Sequence, residues 1–151
     1  AAKRNSAWVN RIREEGMEEF VNYWETLPLF ETQKELGFDK ILHFSRAAND
    51  PECMALCLEG AGKQAMPLSG ETLTYIEKAN DFEVDSRKGI PVLYIYGDKD
   101  EKSALVAQKL SAVGASVSAI NVGHNVHLEA PMLYLREIQN FLVGIDQTLW
   151  D

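Results

Sequence analysis

The stretch Ile90-Pro91-Val92-Leu93-Tyr94-Ile95-Tyr96-Gly97 constrains the fold more than any other part of the chain. Val92 through Tyr96 are all apolar or aromatic and leave no polar face, the pattern of a strand covered by helices on both sides. Pro91 suits the first strand position, where no ladder donor is yet needed. Gly97 ends the strand, and Asp98-Lys99-Asp100 follow at its carboxyl end, where open α/β sheets place their chemistry. Such a strand requires neighbours, so the other segments are read by what they can pack around it.

Downstream the pattern alternates. A helix is expected from about Ser103 to Val113, with Leu105, Val106, Ala107, Leu110 and Val113 as its buried stripe and Gly114 as its stop. Val117, Ala119, Ile120 and Val122 make a second short strand, Gly123 breaks it, and Pro131 opens a last helix. Strand, helix, strand, loop, helix is one right-handed parallel unit with a closing helix. Two strands do not make a stable parallel sheet, so further strands are expected from outside the chain.

Upstream the chain reads as helical. Apolar residues from Trp8 to Trp24 fall near helical spacing, and Gly16 marks a break into two shorter helices. Leu27-Pro28-Leu29-Phe30 reads as a bend with exposed apolar residues, followed by short helices over Thr32–Leu36 and Phe38–Ala48, Asp39 being a cap candidate. Asp50 caps, and Pro51 opens, a helix that Gly60-Ala61-Gly62 stops. Ser69 caps one more helix. The polar, turn-rich segment 80–89 then reads as a linker, giving a helical region at 1–79 and a sheet region at 90–151.

The chain has 151 residues, is 46% hydrophobic and carries a formal charge of −8. That size supports a sizeable core, and that charge argues against nucleic acid or an anionic membrane as the main partner. No apolar run approaches the ~18 residues of a membrane span, and the first residues lack the apolar core of a secretory signal. Cys53 and Cys57 stand four apart, where an intrahelical bridge is strained; they read as reduced, core-side thiols of an intracellular protein rather than as a metal site. Nothing in the pattern calls for a cofactor.

Chemistry concentrates in two loops. The first holds Asp98 and Asp100; the second reads Gly123-His124-Asn125-Val126-His127-Leu128-Glu129-Ala130-Pro131. Acids after strands and histidines before helices are each common as ordinary loop polarity. At one sheet edge and in this order they make an acid–histidine pair, in which a carboxylate fixes the imidazole tautomer and leaves the other nitrogen as a base.

The run Pro-apolar-Gly-x-x-Asp, then helix, strand, Gly-His, and Glu-x-Pro opening a final helix, resembles the carboxyl-terminal part of the α/β-hydrolase fold, whose chain order is Ser…Asp…His. Gly97-Asp98-Lys99-Asp100-Glu101-Lys102 and Gly123 through Pro131, with Phe20 through Phe30 and Arg46-Ala47-Ala48-Asn49 upstream, resemble more closely the 2-succinyl-6-hydroxy-2,4-cyclohexadiene-1-carboxylate synthases of menaquinone and phylloquinone biosynthesis. The resemblance implies that Asp100 is the acid and His124 the base, with Asp98 a solvent-side acid and His127 at a variable position. It makes 1–79 a helical cap from which Trp24 and Arg46 face substrate. The substrate's carboxylates make guanidinium forks natural clamps, so Arg46 leads, with Lys102 and Arg4 behind it. Against these roles stand a solvated helix residue for Arg46 and a core anchor for Trp24; His43 reads as structural. Two departures are visible: the segment from Asn80 to Lys88 is longer than the family's connection, and Ser103 stands where an aromatic residue commonly follows the lysine.

No Gly-x-Ser-x-Gly elbow occurs in the sequence, nor a His-Gly-Gly oxyanion loop. The chain is therefore expected to begin inside the cap's entry and to be inactive alone. A second polypeptide supplying the missing sheet and serine is the expected partner. Three readings remain: a synthase portion that eliminates pyruvate, an ester or carbon–carbon bond hydrolase of the same fold, and a non-catalytic remnant serving as a subunit. The expected compartment is reducing, cytoplasm or plastid stroma.

Overall fold

The computed structural model describes residues 2–37, 39–60, 69–80, 83–84 and 87–149. They fall into two compact units, Ala1–Leu68 and Ser69–Asp151.

The first unit is helical. Helix α1 (Ala2–Trp24) is not one rod, because Gly16 sits at φ 86°, ψ 175°. Along a straight helix Trp8 and Phe20 would lie about 18 Å apart; their ring centroids are instead 6.4 Å apart, edge to face. The chain turns back on itself at Gly16, and the two halves pool Val9, Ile12, Met17, Phe20 and Val21 into one core with Ala55. That conformation is essentially confined to glycine.

A 3₁₀ helix (Pro28–Leu36) follows, then α2 (Asp39–Ala47) and α3 (Pro51–Gly60). The expected bend at Leu27–Phe30 with exposed apolar residues is corrected here: Pro28 opens the 3₁₀ helix, and Phe30 is buried against Trp24, centroids 4.3 Å apart. Proline is well placed at a first helical position, where its missing N–H would have had no partner. Asp50 Oδ1 accepts from the Cys53 amide at 2.8 Å, which caps α3 as expected. Arg13 ties α3 to α1 with paired bonds to Glu52, at 2.8 and 3.0 Å, and to Glu59, at 2.7 and 3.2 Å. Cys53 and Cys57 are free, but they are exposed rather than core-side. The face of α3 that meets α1 is the one bearing Met54, Ala55 and Leu58.

The second unit starts with α4 (Ser69–Asn80), which packs on α5 (Glu101–Ala112). The segment 80–89 lies within this unit. It carries a two-residue antiparallel ladder, β1 (Glu83–Val84) with β2 (Arg87–Lys88), and the Ile90 amide donates to the Ala79 carbonyl at 2.8 Å. Then β3 (Leu93–Gly97) pairs in parallel with β4 (Ser116–Ile120), from Leu93 opposite Ser116 to Gly97 opposite Ile120. Both α5 and α7 (Pro131–Leu149) pack on this pair, and a short α6 (Val126–Glu129), not foreseen, precedes α7.

Two expectations about burial are corrected. Strand β3 is half-buried except at Gly97, because among the described residues it pairs along one edge only. On α5 only Ala107 and Leu110 of the expected stripe are buried, while Leu105 and Val106 are exposed. A two-stranded sheet offers α5 too little area to cover a full helical face.

Gly16→Ala should destabilise the first unit by about 1–3 kcal/mol. Because a Cβ there meets nothing within 4 Å, the loss comes from backbone strain alone. Denaturant unfolding checks this, and an unchanged midpoint would contradict the turn.

Candidate active site

Parallel pairing brings the carboxyl ends of β3 and β4 to the same edge. The ladder runs on past both strands: the Asp98 amide donates to the Ile120 carbonyl at 3.0 Å and the Lys99 amide to the Val122 carbonyl at 3.1 Å. The two loops therefore leave the sheet joined. Gly97 makes this approach possible, since a Cβ there would collide with the carbonyl oxygens of Val122 and Gly123.

Asp100 is the N-cap of α5, in extended conformation at φ −97°, ψ 94°. Its Oδ1 accepts from the amides of Lys102 (3.1 Å) and Ser103 (3.4 Å). Its Oδ2 accepts from the Ser103 hydroxyl at 2.7 Å and faces His124 Nδ1 at 2.6 Å. Burial pushes the Asp100 carboxyl up, but the Ser103 hydroxyl, His124 and the Ser103 amide outweigh it and hold the group below the usual carboxylate range. An ionised carboxylate only accepts, so His124 Nδ1 carries a proton, and in the neutral ring Nε2 is the nitrogen that presents a lone pair. The Asp100 side chain is 10% exposed and that of His124 40%, so the carboxylate is sequestered and the imidazole is reachable.

The histidine's backbone is held separately. Glu129 accepts from the amides of Gly123 (2.6 Å) and Asn125 (3.2 Å), the residues on either side of His124. This is a physical role for the Glu-x-Pro run: α6 returns the carboxylate to the loop and Pro131 starts the next helix.

The expected pair is thus in contact. Asp98, His127 and Lys102 are exposed. His127 rests near the Tyr134 ring, centroids 6.2 Å apart. The Arg4 side chain lies outside the described residues. Among the described residues no group of three or more His, Cys, Asp and Glu could hold a metal ion.

Trp24 and Arg46 meet within the first unit. The Arg46 guanidinium lies 5.3 Å from the Trp24 ring centroid and 5.2 Å from that of Phe30. Both line a largely apolar cavity of about 220 Å³, shared with Trp8, Phe20, Met54 and Leu58. The guanidinium is already engaged, donating to Glu25 at 2.6 Å and to Gln33 at 3.0 Å. Glu25 also faces His43 Nδ1 at 2.9 Å, and Glu18 faces His43 Nε2 at 3.0 Å. With a carboxylate on each nitrogen the ring is an imidazolium, and the bonds to Glu18 and Glu25 hold its pKa above the ordinary histidine value. Glu25, Gln33 and Ser103 were not foreseen as part of either cluster. Ser103 had a signal in the Asp-x-x-Ser capping spacing; Glu25 and Gln33 had none, being far from Arg46 in sequence.

A parallel strand pair with a helix-capping acid after one strand and a histidine after the next, together with a helical segment upstream, is part of an α/β-hydrolase fold. The solved structure of MenH from S. aureus superposes at a TM-score of 0.79 with 26% identity, over 93% of this chain and 50% of that one. No family model matches. A Bacillus subtilis (strain 168) protein that carries the provisional name 2-succinyl-6-hydroxy-2,4-cyclohexadiene-1-carboxylate synthase is 31% identical over 140 residues, 89% of this chain and 46% of the relative. The enzyme of that name from Enterobacter sp. (strain 638) is 26% identical over 86% of this chain and 45% of its own length. The chain is thus a partial α/β-hydrolase-fold protein resembling these synthases, and it spans about half the length of the curated relatives it matches.

Two outcomes test these clusters. Gly97→Ala should destabilise the second unit by about 1–3 kcal/mol through forced overpacking and separate His124 from Asp100, seen as loss of the hydrogen-bonded Nδ1 proton signal in NMR. A retained signal would contradict the close approach. The contribution of His43 to stability is complete below the unfolded value of about 6.5 and is lost as pH rises through its raised folded value. Denaturant midpoints of the wild type should therefore fall more than those of His43→Gln as pH rises above the ordinary histidine value of about 6.5; equal falls would count against the imidazolium.

Proposed function

We propose that this chain carries the acid–histidine half, and the cap, of a lyase that eliminates pyruvate to form 2-succinyl-6-hydroxy-2,4-cyclohexadiene-1-carboxylate. The observation behind the reading is the 2.6 Å contact between Asp100 Oδ2 and His124 Nδ1 at the end of the parallel pair. Asp100 holds the tautomer, and His124 Nε2 is the base. A serine that this chain lacks completes the triad, through which a substrate proton is removed and pyruvate leaves. Trp24 and Arg46 contact the substrate from the cap: the stacked guanidinium takes a carboxylate and the apolar cavity takes the ring. Lys102, exposed beside Asp100 in sequence, is a weaker candidate cation for a substrate carboxylate.

The remaining strands and the serine come from a second polypeptide or a further segment. The relatives are bacterial, which favours a reducing cytoplasm over a plastid stroma, and free Cys53 and Cys57 are at home there. Among the described residues no helix is long and apolar enough to cross a membrane. The same acid–histidine contact serves an ester or carbon–carbon bond hydrolase, in which the serine attacks covalently.

The test is an assay of the protein completed with its serine-bearing portion, following pyruvate release from the menaquinone precursor alongside ester cleavage. Pyruvate release is expected; its absence from a folded protein that cleaves esters would give the hydrolase reading instead. His124→Ala should abolish turnover with little change in stability, and Asp100→Asn should lower kcat about ten-thousand-fold. Arg46→Met should raise KM about tenfold or more with a smaller effect on kcat.

A further inference from the structure

Ser103 lies in the first turn of α5, and its hydroxyl donates to the same carboxylate oxygen that faces the imidazole. Helix capping does not account for this bond. The cap is made by Oδ1, which receives the amides of Lys102 and Ser103, whereas the hydroxyl satisfies no backbone group. A carboxylate swings about its Cβ–Cγ bond unless something fixes its plane. The Oδ1 contacts, 3.1 and 3.4 Å, are the long ones, and the 2.7 Å hydroxyl bond on Oδ2 is short. The imidazole and the carboxylate orient each other through one shared bond, so a second bond on Oδ2 is what adds an anchor from outside the pair. Glu129 restrains the histidine loop through backbone amides on either side of His124, not through Asp100.

We propose that Ser103 is a positioning residue of the acid–histidine pair, its hydroxyl locking the Asp100 carboxylate so that Oδ2 stays aimed at His124 Nδ1. The inference rests on the reading of His124 as the base. The hydroxyl works as a donor here, since the ionised carboxylate oxygen Oδ2 only accepts. Without it, Oδ2 is held by the imidazole alone, and the Nδ1 proton spends more of its time open to water.

The experiment is NMR on the full 151-residue chain with isotope-labelled histidine, comparing wild type, Ser103→Thr and Ser103→Val. Threonine and valine have the same shape and differ in the hydroxyl, so a purely steric or helical role would affect both alike. Wild type and Ser103→Thr should keep a slowly exchanging His124 Nδ1 proton; in Ser103→Val that proton should exchange about tenfold faster or more, as expected for loss of one charge-assisted bond. Equal exchange in Ser103→Val and wild type would overturn the proposal. So would a wild-type Ser103 hydroxyl proton that shows no protection and no proximity signal to the His124 Nδ1 proton, whatever the variants do. The readout needs no turnover, so failure of the pyruvate assay and failure of this inference are separate results.

Discussion

The second unit depends on one carboxylate. Asp100 starts a helix with one oxygen and holds a histidine with the other. The two roles support each other. Capping α5 satisfies orphan amides that would otherwise go unpaired, and it places the acid at a fixed distance past β3. The parallel partner strand then delivers His124 to that point, but only because Gly97 lets the loops meet at van der Waals limits. Lengthening the β3 loop by one residue would move the cap and the histidine's partner together, so fold and site are specified by the same few atoms.

The Arg46 cluster of the first unit works on a different balance. Arg46 lies against the Trp24–Phe30 ring pair with Glu25 on one amino group, while Glu25 is shared with a His43 that Glu18 also holds. Two carboxylates and two cations make a locally neutral group beside an apolar cavity. Neutrality lets a guanidinium stay at an apolar wall, because an unpaired charge there would carry a large desolvation cost. A bound carboxylate would meet a cation whose direction is already set, though one that shares its charge with Glu25.

What was legible in the sequence followed from local rules. The apolar run ending in Gly97 gave the strand, Gly114 the helix stop, Asp50-Pro51 a helix start, and Gly16 a break. The acid and the histidine were legible because a parallel pair sends consecutive loops to one edge. Burial was less legible. The stripe on α5 and both faces of β3 were expected to be covered, and in the structure they are only partly so, since coverage depends on how many strands the sheet has. The side chains that orient Arg46 were invisible for a related reason. Glu25, Gln33 and His43 reach it across helix packing that no short spacing encodes, whereas Ser103 sits one helical turn from Asp100 and could be read as a capping residue only.

Glu129 bears on the entropy of the histidine loop. By joining the amides of Gly123 and Asn125, it closes a ring of a few residues around His124 without a covalent bond. The backbone around His124 has therefore lost its freedom during folding, before any ligand arrives. Were His124 to act as the proposed base, binding free energy would not be diverted to ordering that loop, and more of it would remain to bring reacting atoms together.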